Sequence, residues 1–345
     1  MSVAASAPAP LLEVRGLQTW FPVRSGILRR TTGWVRAVDG VDLSIEAGKT
    51  LALVGESGCG KTTVGRSILR LVRARQGEVW FDGVNLLELS NAALRPYRRA
   101  LQIIFQDPMA SLDPRMRVRD IIAEGMNSFG IGANEAERSD RVAALLARVQ
   151  LDPQQMWRYP HEFSGGQRQR VCIARALAVE PRLIICDEAV SALDVSIQAQ
   201  ILNLLRDLQE ELGLSYLFIT HDLGVVRYLA DQVAVMYLGQ VVEFGPTARV
   251  FEAPQHPYTR GLLGAVPSLD PDWQPAEVAV LGDVPSPVNP PPGCRFHTRC
   301  KEVMARCREQ PPPLYPLEPG ASRCFLSESG ATAPPPGGAP LEDAS

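Results

Sequence analysis

The chain has 345 residues, of which 46% are hydrophobic and 21% charged, with a formal net charge of −3. This balance supports a folded core and excludes a largely disordered chain, and the slight acidity has the wrong sign for a protein whose main partner is nucleic acid. No apolar run reaches the roughly 18 to 20 residues of a membrane span, and the opening MSVAASAPAP lacks the regions of a secretion signal, so the expectation is a cytoplasmic protein tied to any membrane through partners.

In chain order, residues 1–10 are rich in Ala and Pro and are expected to be disordered. From Leu11 to about Gly245, short apolar runs (TLALVGE, QIIFQD, RLIICDE, SYLFITH, QVAVMYLG) alternate with helix-like stretches such as Ile197 to Leu212. That alternation predicts an α/β domain over 11–250. Beyond it Pro becomes frequent and periodicity fades, so 251–326 is expected to be an irregular extension and the Pro/Gly/Ala-rich 327–345 a disordered tail. The basic stretch from Arg24 to Arg36 reads as a solvated loop, with contact to lipid headgroups or a membrane subunit as the sharper alternative.

The segment Gly55-Glu56-Ser57-Gly58-Cys59-Gly60-Lys61-Thr62 follows the strand-like LALV and precedes the helix-like TVGRSILRLV. Its glycines let backbone N–H groups converge on phosphates, and the following helix offers its positive end. Lys61 would neutralise the β and γ oxygens and Thr62 would hold Mg²⁺, with Thr63 beside it in the same nucleotide-binding set. ATP and Mg²⁺ are therefore the expected ligands. Further along, Leu183-Ile184-Ile185-Cys186 ends in Asp187-Glu188, a buried strand that delivers two carboxylates to its C-terminal edge. Alone, such a pair is more often a helix cap. Beside the Gly-Lys-Thr loop, Asp187 reads as a Mg²⁺ group and Glu188 as the base that polarises the attacking water.

Between these segments, Phe163-Ser164-Gly165-Gly166-Gln167-Arg168-Gln169-Arg170 resembles the signature of ABC ATPases. A Ser hydroxyl and Gly N–H groups at a helix start make a second anion site. The resemblance implies that Ser164, Gly166 and Gln167 address the γ-phosphate held by another subunit, so that a complete site takes a head-to-tail dimer around two ATP molecules. Gln106 in IIFQDP resembles the Q-loop, Ser191-Ala192-Leu193-Asp194 the D-loop, and His221 in FITHD the switch histidine. By the same resemblance Gln106 contacts Mg²⁺ or the water, Asp194 links the two sites, His221 holds the γ-phosphate, and Phe21 stacks on adenine, with Trp20 as the alternative. The implied fold is α/β, a P-loop ABC cassette with a RecA-like core, an antiparallel β subdomain and a helical signature subdomain. One departure stands out, since Ala189 occupies a position where many relatives have Pro.

Gly55-Glu56-Ser57-Gly58, FQDPMASLDPRM, RYPHEFSGGQRQR, SALDVSIQAQILNLL, MYLGQVVEFGP and His256-Pro257-Tyr258-Thr259 are similar to the ATPases of oligopeptide and dipeptide importers, and to the second of their two usual ATPase subunits. This similarity implies uptake of peptides by a heterodimer with a second, homologous ATPase, at the cytoplasmic face of the membrane. Two transmembrane permeases and an extracytoplasmic peptide-binding protein would complete the assembly. Another solute such as a nickel chelate, or an ABC ATPase that transports nothing, are the alternatives.

The extension holds Cys294, Cys300, Cys307 and Cys324, with five, six and sixteen residues between them. The tight C-x-x-C pairs of zinc sites are missing. Four thiolates in a segment with little core suit a [4Fe-4S] cluster, as the resemblance also implies, while zinc and unligated thiols stay open. Cys59, Cys172 and Cys186 read as small core or loop residues.

Overall fold

The computed structural model describes residues 9–25, 30–265 and 282–328, so the ends expected to be disordered lie almost wholly outside the described residues. In chain order the strands are β1 Leu12–Ser25, β2 Arg30–Ile45, β3 Thr50–Val54, β4 Gln76–Phe81, β5 Val84–Asn85, β6 Leu101–Ile104, β7 Leu183–Asp187, β8 Ser215–Thr220, β9 Gln232–Tyr237, β10 Gln240–Pro246, β11 Tyr315–Leu317 and β12 Gly320–Ser322. They belong to two compact units, one drawn from within 9–13, 44–50 and 80–220, the other from within 14–43, 51–79 and 221–328.

In the first unit β6, β7 and β8 run parallel, with Ile104 opposite Cys186 and Asp187 opposite Ile219. Every residue of β7 and β8 is buried, which is why both read as unbroken apolar runs rather than alternating ones. The helices Val118–Phe129, Glu135–Arg148, Gly165–Leu177 and Val195–Leu212 bury stripes that include Ile122 and Met126, Val142 and Leu146, Ile173, and Leu205. Each such side chain contributes about 2 kcal/mol through burial. Asn134 caps the second of these helices by accepting from Glu137 N at 2.9 Å. β5 turns back on the end of β4 through Asp82 and Gly83 at φ 52° and 76°, the twist a two-residue hairpin prefers.

In the second unit β3 pairs parallel with β9, β9 pairs antiparallel with β10, and β12 joins β10 and β11 antiparallel. The strands β2, β1 and β4 lie side by side in that order. Tyr237 of β9, Tyr258 of the helix Pro257–Gly264 and Phe296 form a ring cluster, with centroids 4.7, 5.3 and 5.4 Å apart. Glu243, with no exposed surface on its side chain, accepts from Gln255 N at 2.8 Å and His256 N at 2.9 Å and pairs with Arg249 at 3.0 Å. It has partners enough to make its burial tolerable.

Two sequence expectations need correction. The basic stretch is not simply a loop, because β1 continues to Ser25 and β2 begins at Arg30, with 26–29 outside the described residues. Thr31, Thr32 and Val35 are β-branched and favour that extended backbone. Nor is the extension wholly irregular: it contains the helices Pro257–Gly264 and Ala305–Glu309, and its strands β11 and β12 carry on the sheet beyond β10. Among the described residues no helix is long and apolar enough to cross a membrane.

Candidate nucleotide site

In the second unit the loop after β3 is shaped by glycine. Gly55 and Gly60 have φ of 152° and 109°, and an added Cβ would stand 2.2 Å from Met236 O and 2.0 Å from Ala37 O. No other residue fits at either position. The loop curls around its own lysine: Lys61 is 4% exposed, and its Nζ donates to Gly55 O at 2.7 Å and Glu56 O at 3.0 Å. Lys61 opens the helix Lys61–Ile68, with half-buried Thr62 and Thr63 in its first turn, while Ser57 and Gly58 are exposed on the rim. This is a cationic, N–H-rich concavity, the kind of site that takes phosphate. Burial pushes the Cys59 thiol up, so it stays protonated in the loop wall.

Sequence reasoning passed over the neighbours of Glu56. Its N–H donates to Tyr258 Oη at 2.9 Å, and its carboxylate accepts two bonds from Arg299, at 2.7 and 3.1 Å. The Arg299 side chain is 7% exposed and that of Glu56 26%. The available signal was an acidic residue inside a phosphate loop and an arginine inside the cysteine-bearing segment, two charges that each require a counterpart.

Of the two aromatic candidates, Phe21 is the exposed one, at 38%. Trp20 is committed to the fold. Its indole N–H donates to Asp39 at 3.1 Å, and the guanidinium groups of Arg75 and Arg36 lie 4.1 and 4.9 Å from its ring. His221 is exposed just beyond β8.

In the first unit Asp187, 2% exposed, ends β7, and Glu188 follows with φ 49°. A non-glycine residue in this left-handed region costs about 1 kcal/mol and is kept there by its surroundings. Its N–H donates to Ile219 O at 2.9 Å, and its carbonyl accepts from Ser191 N at 3.2 Å and Ser191 Oγ at 3.0 Å. So held, the Glu188 carboxylate accepts from Gln106 Nε2 at 2.8 Å, which brings together two residues predicted from separate motifs. Ala189 is buried beneath the turn, where its small side chain fits.

Ser164 caps the helix Gly165–Leu177 in a reciprocal box, its Oγ accepting from Gln167 N at 3.3 Å while its own N–H donates to Gln167 Oε1 at 2.9 Å. A Cβ on Gly166 would lie 2.5 Å from Ile197, and one on Gly165 3.7 Å from Leu193. The signature turn therefore packs against the segment holding Asp194, which is exposed at the start of Val195–Leu212.

Cys294, Cys300, Cys307 and Cys324 all line one small cavity of about 10 Å³, together with Phe296 and Phe325. Burial, with a smaller contribution from the other thiols, pushes Cys300 to about 11 and Cys324 to about 12. Among the described residues no group of three or more donors stands ready-set for a metal ion.

Residues 38–191 match the family described as ABC transporter, and residues 242–307 match the oligopeptide/dipeptide transporter C-terminal region. The chain is 51% identical over 320 residues to a putative peptide import ATP-binding protein of Brucella ovis, covering 93% of this chain and 98% of that one. It is 57% identical over 281 residues to the glutathione import ATP-binding protein GsiA of Salmonella paratyphi A, covering 81% of this chain and 45% of GsiA. A dimeric ATP-binding cassette in a post-hydrolysis state, bound to ADP and Pi, superposes with a TM-score of 0.61 at 27% identity over 68% of this chain and 98% of that one. CbiO1 of Clostridium perfringens, part of the transporter complex cbiONQ, gives 0.60 at 28% identity, covering 70% of this chain and 91% of its own. With a glycine loop closed on Lys61, a strand ending in Asp187 with Glu188 directly after it and relatives along nearly its whole length, the chain belongs to the ABC transporter family as an ATPase that carries the oligopeptide/dipeptide transporter C-terminal region.

Proposed function

We propose that the chain is the motor subunit of a peptide importer, with residues 11–250 as the ATPase and 251–326 as the extension. The observation that carries the ATPase chemistry is Lys61, buried in a loop whose Gly55 and Gly60 admit no side chain. Lys61 and the loop N–H groups bind the phosphates. Thr62 and Asp187 would by residue type and motif hold Mg²⁺, which when bound screens the phosphate charge. Glu188 takes the proton of the attacking water, Gln106 orients that carboxylate, His221 holds the γ-phosphate and Phe21 stacks on the base. Ser164, Gly166 and Gln167 form the face offered to a partner's nucleotide, and Asp194 connects the two halves.

Peptide uptake rests on the name of the Brucella relative and on the matched C-terminal region. The assembly is a heterodimer with a second, homologous ATPase under two permeases at the cytoplasmic face of the membrane, supplied by a peptide-binding protein. Reconstitution with those partners in proteoliposomes tests it. ATP-dependent accumulation of a labelled di- or oligopeptide is expected, and ATP turnover without any peptide movement would remove the peptide reading while leaving the motor.

The four cysteines would hold a [4Fe-4S] cluster. What supports this reading is the donor number and the lining of one cavity by all four cysteines, where burial disfavours thiolates unless positive charge is supplied; among the described residues the four are not gathered into a ready-set metal group, so a cluster would have to draw them together. Iron and sulfide assays on anaerobically purified protein decide the matter: zinc in place of iron, or neither metal in a folded chain, ends the cluster reading.

A further inference from the structure

A carboxylate carries the wrong sign of charge for a loop that must receive a polyphosphate. At position 56 it stands one residue after Gly55, whose carbonyl bonds Lys61. Without a counterion, that negative charge would oppose nucleotide binding. The counterion comes from 243 positions away. Arg299 places both guanidinium donors on the two Glu56 oxygens, a paired geometry that lysine does not reproduce. Arg299 is itself pre-set: its N–H donates to Phe296 O at 3.0 Å, its guanidinium lies 5.8 Å from the Tyr237 ring centroid, and its side chain is almost fully buried. From the same region Tyr258, fully buried in the ring cluster with Tyr237 and Phe296, accepts the Glu56 N–H.

We propose that Arg299 is a positioning residue for the nucleotide: it cancels the charge of Glu56 and, with Tyr258, fixes the shape of the phosphate loop. The C-terminal extension thus acts directly on ATP affinity. This inference rests on the reading of Gly55–Thr62 as the nucleotide loop.

The charge argument sets opposite signs for the two partners, which a merely structural role does not. Arg299→Ala leaves the charge of Glu56 uncompensated within the phosphate loop and should weaken binding of a fluorescent ATP analogue with Mg²⁺ by about tenfold, with the loss falling on KM rather than on kcat. Glu56→Gln removes the negative charge and leaves Arg299, so it should bind the analogue as tightly as the parent or more so. Adding Glu56→Gln to Arg299→Ala should recover most of the affinity, and raising the salt concentration should shrink the Arg299→Ala defect. If Arg299→Ala does not fold, Arg299→Lys carries the same prediction in smaller measure and Glu56→Gln alone still tests the sign. Undiminished binding by the arginine variants, or Glu56→Gln weakening binding as much as they do, overturns the proposal. Lys61→Ala separates the two levels. If it abolishes binding while Arg299→Ala has no effect, only this inference fails; if it too binds normally, the loop reading fails.

Discussion

Gln106 Nε2 and Glu188 Oε2 are joined by a 2.8 Å hydrogen bond across 82 positions of sequence. The amide orients the carboxylate without taking its charge, so Glu188 keeps a lone pair for a proton. Glu188→Gln preserves the size of the side chain and removes the proposed base. Phosphate release should fall by about 10² to 10⁴ while ATP analogue affinity persists. With Mg²⁺ and ATP, size-exclusion chromatography of this variant with the proposed partner ATPase should show a two-chain species. Phosphate release at the parental rate would remove Glu188 from the role of base.

Gly60→Ala should abolish nucleotide binding in a chain that remains folded. Its added methyl group would sit 2.0 Å from Ala37 O at a φ of 109°, so the loop must move away from the phosphates to accommodate it. Circular dichroism and analogue titration on the same sample separate the two effects.

Phe21 and Trp20 should divide cleanly between binding and stability. Phe21→Ala removes an exposed ring and should raise the Kd for ATP by about 5- to 100-fold, the range of one stacked base, with little change in Tm. Trp20→Ala removes the bond to Asp39 and the contacts with Arg75 and Arg36, and should lower Tm instead. An unchanged Kd in Phe21→Ala would assign adenine contact elsewhere.

Folding should also depend on pH through His256. Burial, followed by the charges of Arg260 and Arg323, lowers its pKa from 6.5 to about 3. The folded-state value is depressed, so on acidification the unfolded chain takes up the proton first. Stability is therefore lost between about pH 6.5 and 3, at about 1.4 kcal/mol per pH unit. His256 Nδ1 accepts from Tyr258 N at 3.0 Å, a capping bond that Asn can also make. His256→Asn should accordingly flatten the slope of urea midpoints between about pH 7 and 5 by roughly one proton. An unaltered slope would show that another group titrates.

The parts of the site legible in the sequence were those whose chemistry is compressed into a few consecutive residues. Gly55 to Thr62 must alternate glycine with donors to form a cradle, and β7 must be apolar up to Asp187 because both its faces are covered. The Glu188–Gln106 contact was not legible in the sequence: the resemblance gave each residue its own role, and neither residue's neighbours specify the other. The Arg299–Glu56 pair was hidden altogether, because 243 positions separate two charges that look ordinary where they stand. β11 and β12 escaped for a different reason: three residues each, with Pro316 and Gly320 among them, are too few for a period of two to register. Similarly, the cysteine spacing revealed four thiols but not their shared cavity.

The pairing of β12 with β10, through Ser322 opposite Glu243 and Ala321 opposite Phe244, has a practical consequence. A chain cut after Glu252 would keep its catalytic motifs but bare one flank of β10, leaving main-chain donors and acceptors open to the next molecule. Such a truncate would tend to stick to itself, so a soluble minimal motor should retain the last few strands as a protective hem.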